Sequence, residues 1–168
     1  MKKLSFLVIV CLVFCVLSIK AAHAGWHTAT LDSTGSVGTS TSLSFDADGY
    51  IHISYYDATN GNLKYATNAS GSWVTTTLDS AGTVGQFSSL GLDAAGHVHI
   101  SYYDGTSGEL KYATNTSGSW VYSTVDSTGN VGYYTSLAID AAGNVQISYY
   151  NPDNYELKYA TKASGSWV

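Results

Sequence analysis

Three evenly spaced carboxylates, Asp46, Asp93 and Asp140, are the first side chains in this chain that could do chemistry. Two carboxylates flanking a glycosidic bond can hydrolyse it, one as acid and the other as base or nucleophile. Each of these three, however, opens an Asp-Ala-x-Gly stretch, where an aspartate ordinarily bonds the amides of its own turn. His52 and His99 recur at one equivalent position, and Gln146 takes that position in the third unit. A metal or catalytic role common to all units does not survive that change, so these histidines read as sheet-face residues bonded to a neighbour. Asp46-Ala47-Asp48-Gly49 has a calcium-like pattern, which Ala95 and Ala142 break in the later units. The chain has no Gly-x-Ser-x-Gly elbow, no His-Glu-x-x-His and no phosphate-cradling glycine loop. Repetition multiplies equivalent groups, whereas catalysis needs unlike groups in one place. The expectation is no catalytic residue, no metal ligand and no cofactor.

The second kind of chemistry is recognition. Fourteen tyrosines and four tryptophans accompany many polar turn residues. Aromatic faces stack on the apolar faces of sugar rings, while nearby Asp, Asn and Ser bond hydroxyls. Tyr56-Asp57, Tyr103-Asp104 and Tyr150-Asn151 each lead into a polar turn, and Trp73 and Trp120 each follow a Ser-Gly-Ser turn. These eight residues are the candidate ligand-binding set. Several identical weak sites on one rigid body would gain by avidity.

The elements that must hold these residues are hairpins. His97–Asn115 contains two alternating runs, Val98–Tyr103 and Leu110–Thr114, around the turn Asp104–Glu109. The same hairpin recurs at Tyr50–Asn68 and Asn144–Lys162. Trp26, Trp73, Trp120 and Trp167 lie 47 residues apart without an insertion. The units are 26–72, 73–119 and 120–166, with a further one starting at 167–168. Each carries four strand-like runs, in the second unit Ser88–Asp93, Val98–Tyr103, Leu110–Thr114 and Trp120–Asp126. Four short strands in such a period is the size of a β-propeller blade. Ser44, Gly91 and Ala138 each sit between two large residues, as on a crowded innermost strand. Lys64, Lys111 and Lys158 are expected to pair with carboxylates across the hairpin.

The phrase Ser-Leu-x-x-Asp-x-x-Gly-x-x-x-Ile-Ser-Tyr-Tyr-[Asp/Asn], followed by Leu-Lys-Tyr-Ala-Thr, resembles the blades of exported bacterial β-propellers built from near-identical repeats. The resemblance spans 25–168 and implies the fold. A looser likeness is to Asp-box propellers of the sialidase type. Ser44–Gly49 carries one residue more than that box and lacks its Trp, and the arginines that clamp a sialidase substrate are absent from this chain. Propeller lectins supply the precedent for repeated sugar sites.

Met1-Lys2-Lys3, the 16-residue apolar run Leu4–Ile19 and Ala22-His23-Ala24 together read as a signal peptide over 1–24, cleaved after Ala24. The apolar run is shorter than the ~20 residues of a spanning helix. Both cysteines, Cys11 and Cys15, lie inside it, so the mature chain relies on its core alone. Removing Lys2, Lys3 and Lys20 leaves four lysines against 12 acids, a net charge near −8, which excludes nucleic acid and anionic membranes as partners. The expected fold is all-β, with three four-stranded antiparallel blades in 25–168 and Trp26–Asp32 acting as a fourth-strand run. Propellers have about four to eight blades. Three must therefore be completed by a homodimer of six or by sequence not present. The functional expectation is a secreted, periplasmic or surface-bound binding module, lectin-like and multivalent. The alternatives are a structural or protein-interaction propeller on the cell surface, and a fragment of a larger propeller enzyme.

Overall fold

A computed structural model describes residues 26–168. The signal peptide read over 1–24, with its cleavage site, lies outside the described residues. The described chain is all-β and forms three antiparallel sheets. The first sheet is β1 (Val37–Phe45), β2 (Ile51–Asp57), β3 (Asn62–Thr67) and β4 (Val74–Asp79), in that spatial order. The second is β5 (Val84–Leu92), β6 (Val98–Asp104), β7 (Glu109–Thr114) and β8 (Val121–Asp126). The third has three strands, β9 (Tyr133–Ile139), β10 (Val145–Asn151) and β11 (Glu156–Thr161). Strands run where β-branched and aromatic residues alternate, and they stop at glycine turns such as Asp46–Gly49, where the Gly49 φ of +84° suits glycine.

The third sheet has three strands because its fourth position is barely occupied. Val168 exchanges backbone hydrogen bonds with Thr161 (2.8 and 3.0 Å), as Val74 pairs with Thr67 and Val121 with Thr114. Beyond that pair, no described residue pairs with the outer edge of β11. Trp26–Asp32 is not a strand. It has no sheet to join, and its far end rests on the first blade instead.

The sheets face one another as blades, with the first strand β5 of the middle sheet packed between β1 and β9. Two apolar cores fill the two junctions. Leu63, Tyr65, Val84, Leu90 and Ile100 lie in the first, and Leu110, Tyr112, Val131, Leu137 and Ile147 in the second. Every residue of the first core has its counterpart 47 positions on in the second. One interface is therefore built twice. Fully burying a Leu or Ile contributes about 1.5–3 kcal/mol, so a handful of such positions dominates each junction.

Polar contacts repeat as well. The Tyr102 hydroxyl (2.7 Å) and the Lys111 ammonium (3.0 Å) both donate to Asp79 at the end of β4, latching the second blade to the first. Tyr149 and Lys158 hold Asp126 in the same way. The lysines thus bond mainly across blades rather than across their own hairpins, because the preceding blade's fourth strand delivers the carboxylate. Asp32, in the non-strand run, is held by Tyr55 (2.8 Å) and Lys64. It occupies on the first blade the place that Asp79 occupies on the second.

Candidate functional site

Strand direction decides which candidate residues meet. β1 and β3 run one way, and β2 and β4 the other. Tyr56-Asp57, Tyr103-Asp104 and Tyr150-Asn151 therefore cluster at the end where second strands finish. Trp73 and Trp120 precede fourth strands at the opposite end. The eight candidates divide into two groups separated by the length of a blade.

At the tryptophan end, Trp120 packs edge-on against Tyr65 of the first blade (5.5 Å) and belongs partly to the first core. Trp167 meets Tyr112 likewise at 5.0 Å. Trp73 remains partly exposed, because no blade precedes its own. At the other end, Asp57, Asp104 and Asn151 are buried. Asp57 accepts hydrogen bonds from the Thr59 and Asn60 amides and the Asn60 side chain, and Asp104 from the Thr106 and Ser107 amides. Those side chains are committed to their own turns. The Asn60 side chain foremost among these bonds, against the opposing cost of burial, the Asp57 carboxyl sits below its ordinary value.

Asp46, Asp93 and Asp140 also serve their turns, each accepting two backbone amides at 2.8–3.0 Å. His52 lies between Asp46 (3.2 Å) and the Tyr65 hydroxyl. Gln146 lies between Asp140 (3.0 Å) and the Tyr159 hydroxyl. Glutamine at this position donates to the carboxylate and accepts from the tyrosine. A neutral histidine protonated on Nε2 does the same.

The junction of the second and third blades holds an aromatic group that the repeating pattern does not announce. The Phe87 ring lies 4.6 Å from Tyr134 and 5.1 Å from Tyr133, and Tyr103 lies 4.5 Å from Tyr133. Of the eight candidates, Tyr103 is the one built into this group, with its hydroxyl donating to Asn130 at 2.7 Å. Burial, and then a hydrogen bond with Tyr133, raise the Tyr103 pKa above that of a free phenol. The Tyr134 ring is 69% exposed.

A bulge aims these rings. Pairing slips between Gln86 and Ser89, and Phe87 (φ 55°) and Tyr134 (φ 52°) are held left-handed, as is Ser40 (φ 52°) at the same point of the first blade. Non-glycine residues rarely adopt this backbone, and such strain gathers at functional sites. The next blade fixes it in place: Ser88 donates to the Ser40 carbonyl (2.8 Å) and Thr135 to the Phe87 carbonyl (3.0 Å). The signal available in the sequence was a break in the repeat. Thr39-Ser40, Gln86-Phe87 and Tyr133-Tyr134 differ where their surroundings are nearly identical.

The architecture defines a class: an all-β protein of propeller-type blades. Among solved structures, the chain is similar to that of a fucose lectin from Kordia zhangzhouensis in complex with methyl-fucoside. The two are 23% identical with a TM-score of 0.51, and the match covers 76% of this chain and 95% of that one. The likeness carries the fold. No family model and no curated protein matches the chain.

Proposed function

We propose that this chain is an exported, non-enzymatic, lectin-like propeller module, and that it binds carbohydrate at the aromatic junction of its second and third blades. The observation that carries this reading is the Tyr134 ring, exposed on a left-handed backbone and backed by Phe87, whose own strained backbone is held by Thr135. A rigid exposed ring offers a stacking platform at little cost in conformational entropy. Gln86, opposite Tyr103 in the ladder, and Asn130 supply amides beside it for sugar hydroxyls. The fucose lectin that shares the fold was solved with a methyl-fucoside, which supports a hexose or deoxyhexose as the ligand class. Glycans, free or on a cell surface, are the partners, and a second copy of this junction in an assembled ring would add avidity.

The test is a glycan array with the folded protein, followed by titration of methyl-fucoside and the strongest array hits into Tyr134→Ala. Loss of an exposed stacking platform should weaken binding about tenfold, or ~1.4 kcal/mol, with the circular dichroism spectrum unchanged. A folded wild-type protein that binds no glycan overturns the reading.

A further inference from the structure

Both ends of the blade array are unfinished, and the two unfinished ends match. On the third blade, Leu157 is 84% exposed, whereas its counterparts Leu63 and Leu110 are completely buried. On the first blade, Leu43 is 52% exposed, whereas its counterparts Leu90 and Leu137 are buried. These are the two halves of the one interface that the chain already builds twice. The third blade also lacks most of a fourth strand. The first blade carries the end of a fourth strand with no sheet behind it, with Asp32 in the latch formed by Tyr55 and Lys64.

We infer that a second copy of this chain completes both ends, with Thr28–Asp32 of each copy joining the open edge of β11 in the other. Register supports it. Trp167-Val168 fill the first two positions of the fourth strand, and Val168 is already bonded to Thr161. Thr28-Ala29-Thr30-Leu31-Asp32 then supply the remaining five. The composite, Trp-Val-Thr-Ala-Thr-Leu-Asp, differs from Trp73–Asp79 at one position. Carried over from the pairing of β7 with β8, Leu157 faces Asp32, Lys158 faces Thr30 and Tyr159 faces Ala29. The junction also has a backbone bond to gain. Val84 and Val131 donate to the Gly61 and Gly108 carbonyls at 2.8 and 2.9 Å, and the equivalent pair is Val37 of one copy with Tyr155 of the other.

The run cannot do this within its own chain. Asp32 is pinned to the first blade, and the second blade stands between it and β11. Such a contact is head-to-tail and must close into a ring or run on as a fibre. Two copies give six blades, within the about four to eight that propellers use, whereas one copy gives three and three copies nine.

The experiment begins with light scattering on the purified chain, expressed from its full sequence. The expected mass is twice that of the chain. Leu157→Asp places a charge on a side chain that is exposed in the single chain and buried in the ring. It should give the single-chain mass with the β-sheet spectrum retained. In a separate mixture, one chain carrying Ala29→Cys and another carrying Tyr159→Cys should form a mixed disulfide dimer on oxidation. A wild-type chain that is monomeric, as expected if further repeats of a longer protein fill these ends, overturns the inference. So does a Leu157→Asp chain that stays dimeric, or a cysteine mixture that yields no crosslink. Glycan binding plays no part in these readouts, so the assembly and the sugar reading stand or fall separately.

Discussion

Gln146 stands where the first two blades carry histidine, and its contacts define what that position requires. It needs one donor toward the turn carboxylate and one acceptor for a tyrosine hydroxyl. His52→Gln should therefore change stability by less than about 1 kcal/mol in a urea melt. His52→Leu fills the space but leaves the buried Tyr65 hydroxyl and Asp46 without it, and should cost about 1–3 kcal/mol. Equal losses for the two variants would contradict this donor-and-acceptor role. His99 keeps only half of this arrangement: it bonds the Tyr112 hydroxyl, but its Nε2 stands 3.5 Å from Asp93, which His97 engages at 2.8 Å, and burial foremost lowers its pKa against the pull of Asp93. The turn role of Asp46, Asp93 and Asp140 was legible from their place before glycine. The commitment of Asp57 and Asp104 to their own turns was legible in principle by the same logic. They stood out as ligand-binding candidates because they follow tyrosine. The junction of Phe87, Tyr133 and Tyr134 was not legible, because these positions break the repeat that marks the other residues.

At the scale of the strand, the bulge that strains Phe87 and Tyr134 begins with a glycine in each blade. Gly85 has φ +106°, and a Cβ there would meet the Leu63 backbone at 2.6 Å. Gly132 meets Leu110 in the same way at 2.9 Å, whereas Gly38 meets nothing within 4 Å. Gly85→Ala suffers both an unsuitable backbone and a collision with main chain, and should cost more than about 3 kcal/mol. Gly38→Ala in an isolated chain suffers the backbone alone, about 1–2 kcal/mol. Thermal melts of the two variants at a protein concentration low enough to keep chains apart check the contrast. At higher concentration Leu157 of a second copy would arrive where Leu63 sits against Gly85, and Gly38→Ala should then also reduce the dimer fraction seen by light scattering. The strands themselves were legible, since alternation and glycine turns mark β2, β3, β6, β7, β10 and β11 closely. The bulge was not, because it is set by contact with the adjacent blade. The separation of Trp73 and Trp120 from the tyrosine pairs follows from strand direction and could have been counted from the repeat.

The whole molecule is tied together by three latches, and they share a dependence on charge. The Lys64 hydrogen bond foremost brings the Asp32 carboxyl down to about 2. Burial alone would raise Asp126, but bonds from Lys158, Tyr149 and Thr128 bring it to about 2 as well. A carboxyl whose pKa is lower in the folded state adds stability that is complete above its ordinary value of 3.8 and drains away as pH falls toward 2. The melting temperature should hold steady down to about pH 4 and fall below it. A decline already complete by pH 5 would show that other groups govern acid unfolding. Blade order and period were legible from the tryptophan spacing. The identity of the latch partners was not, since each bond joins residues 23 or 32 positions apart in different blades. The doubled interface also bears on how such a gene can change. Recombination between neighbouring units removes or adds whole steps of 47 residues. Each product meets its neighbours through surfaces already selected to fit. Chain length, and with it the number of copies in a closed ring, can then vary in a lineage without one new contact having to arise by point mutation.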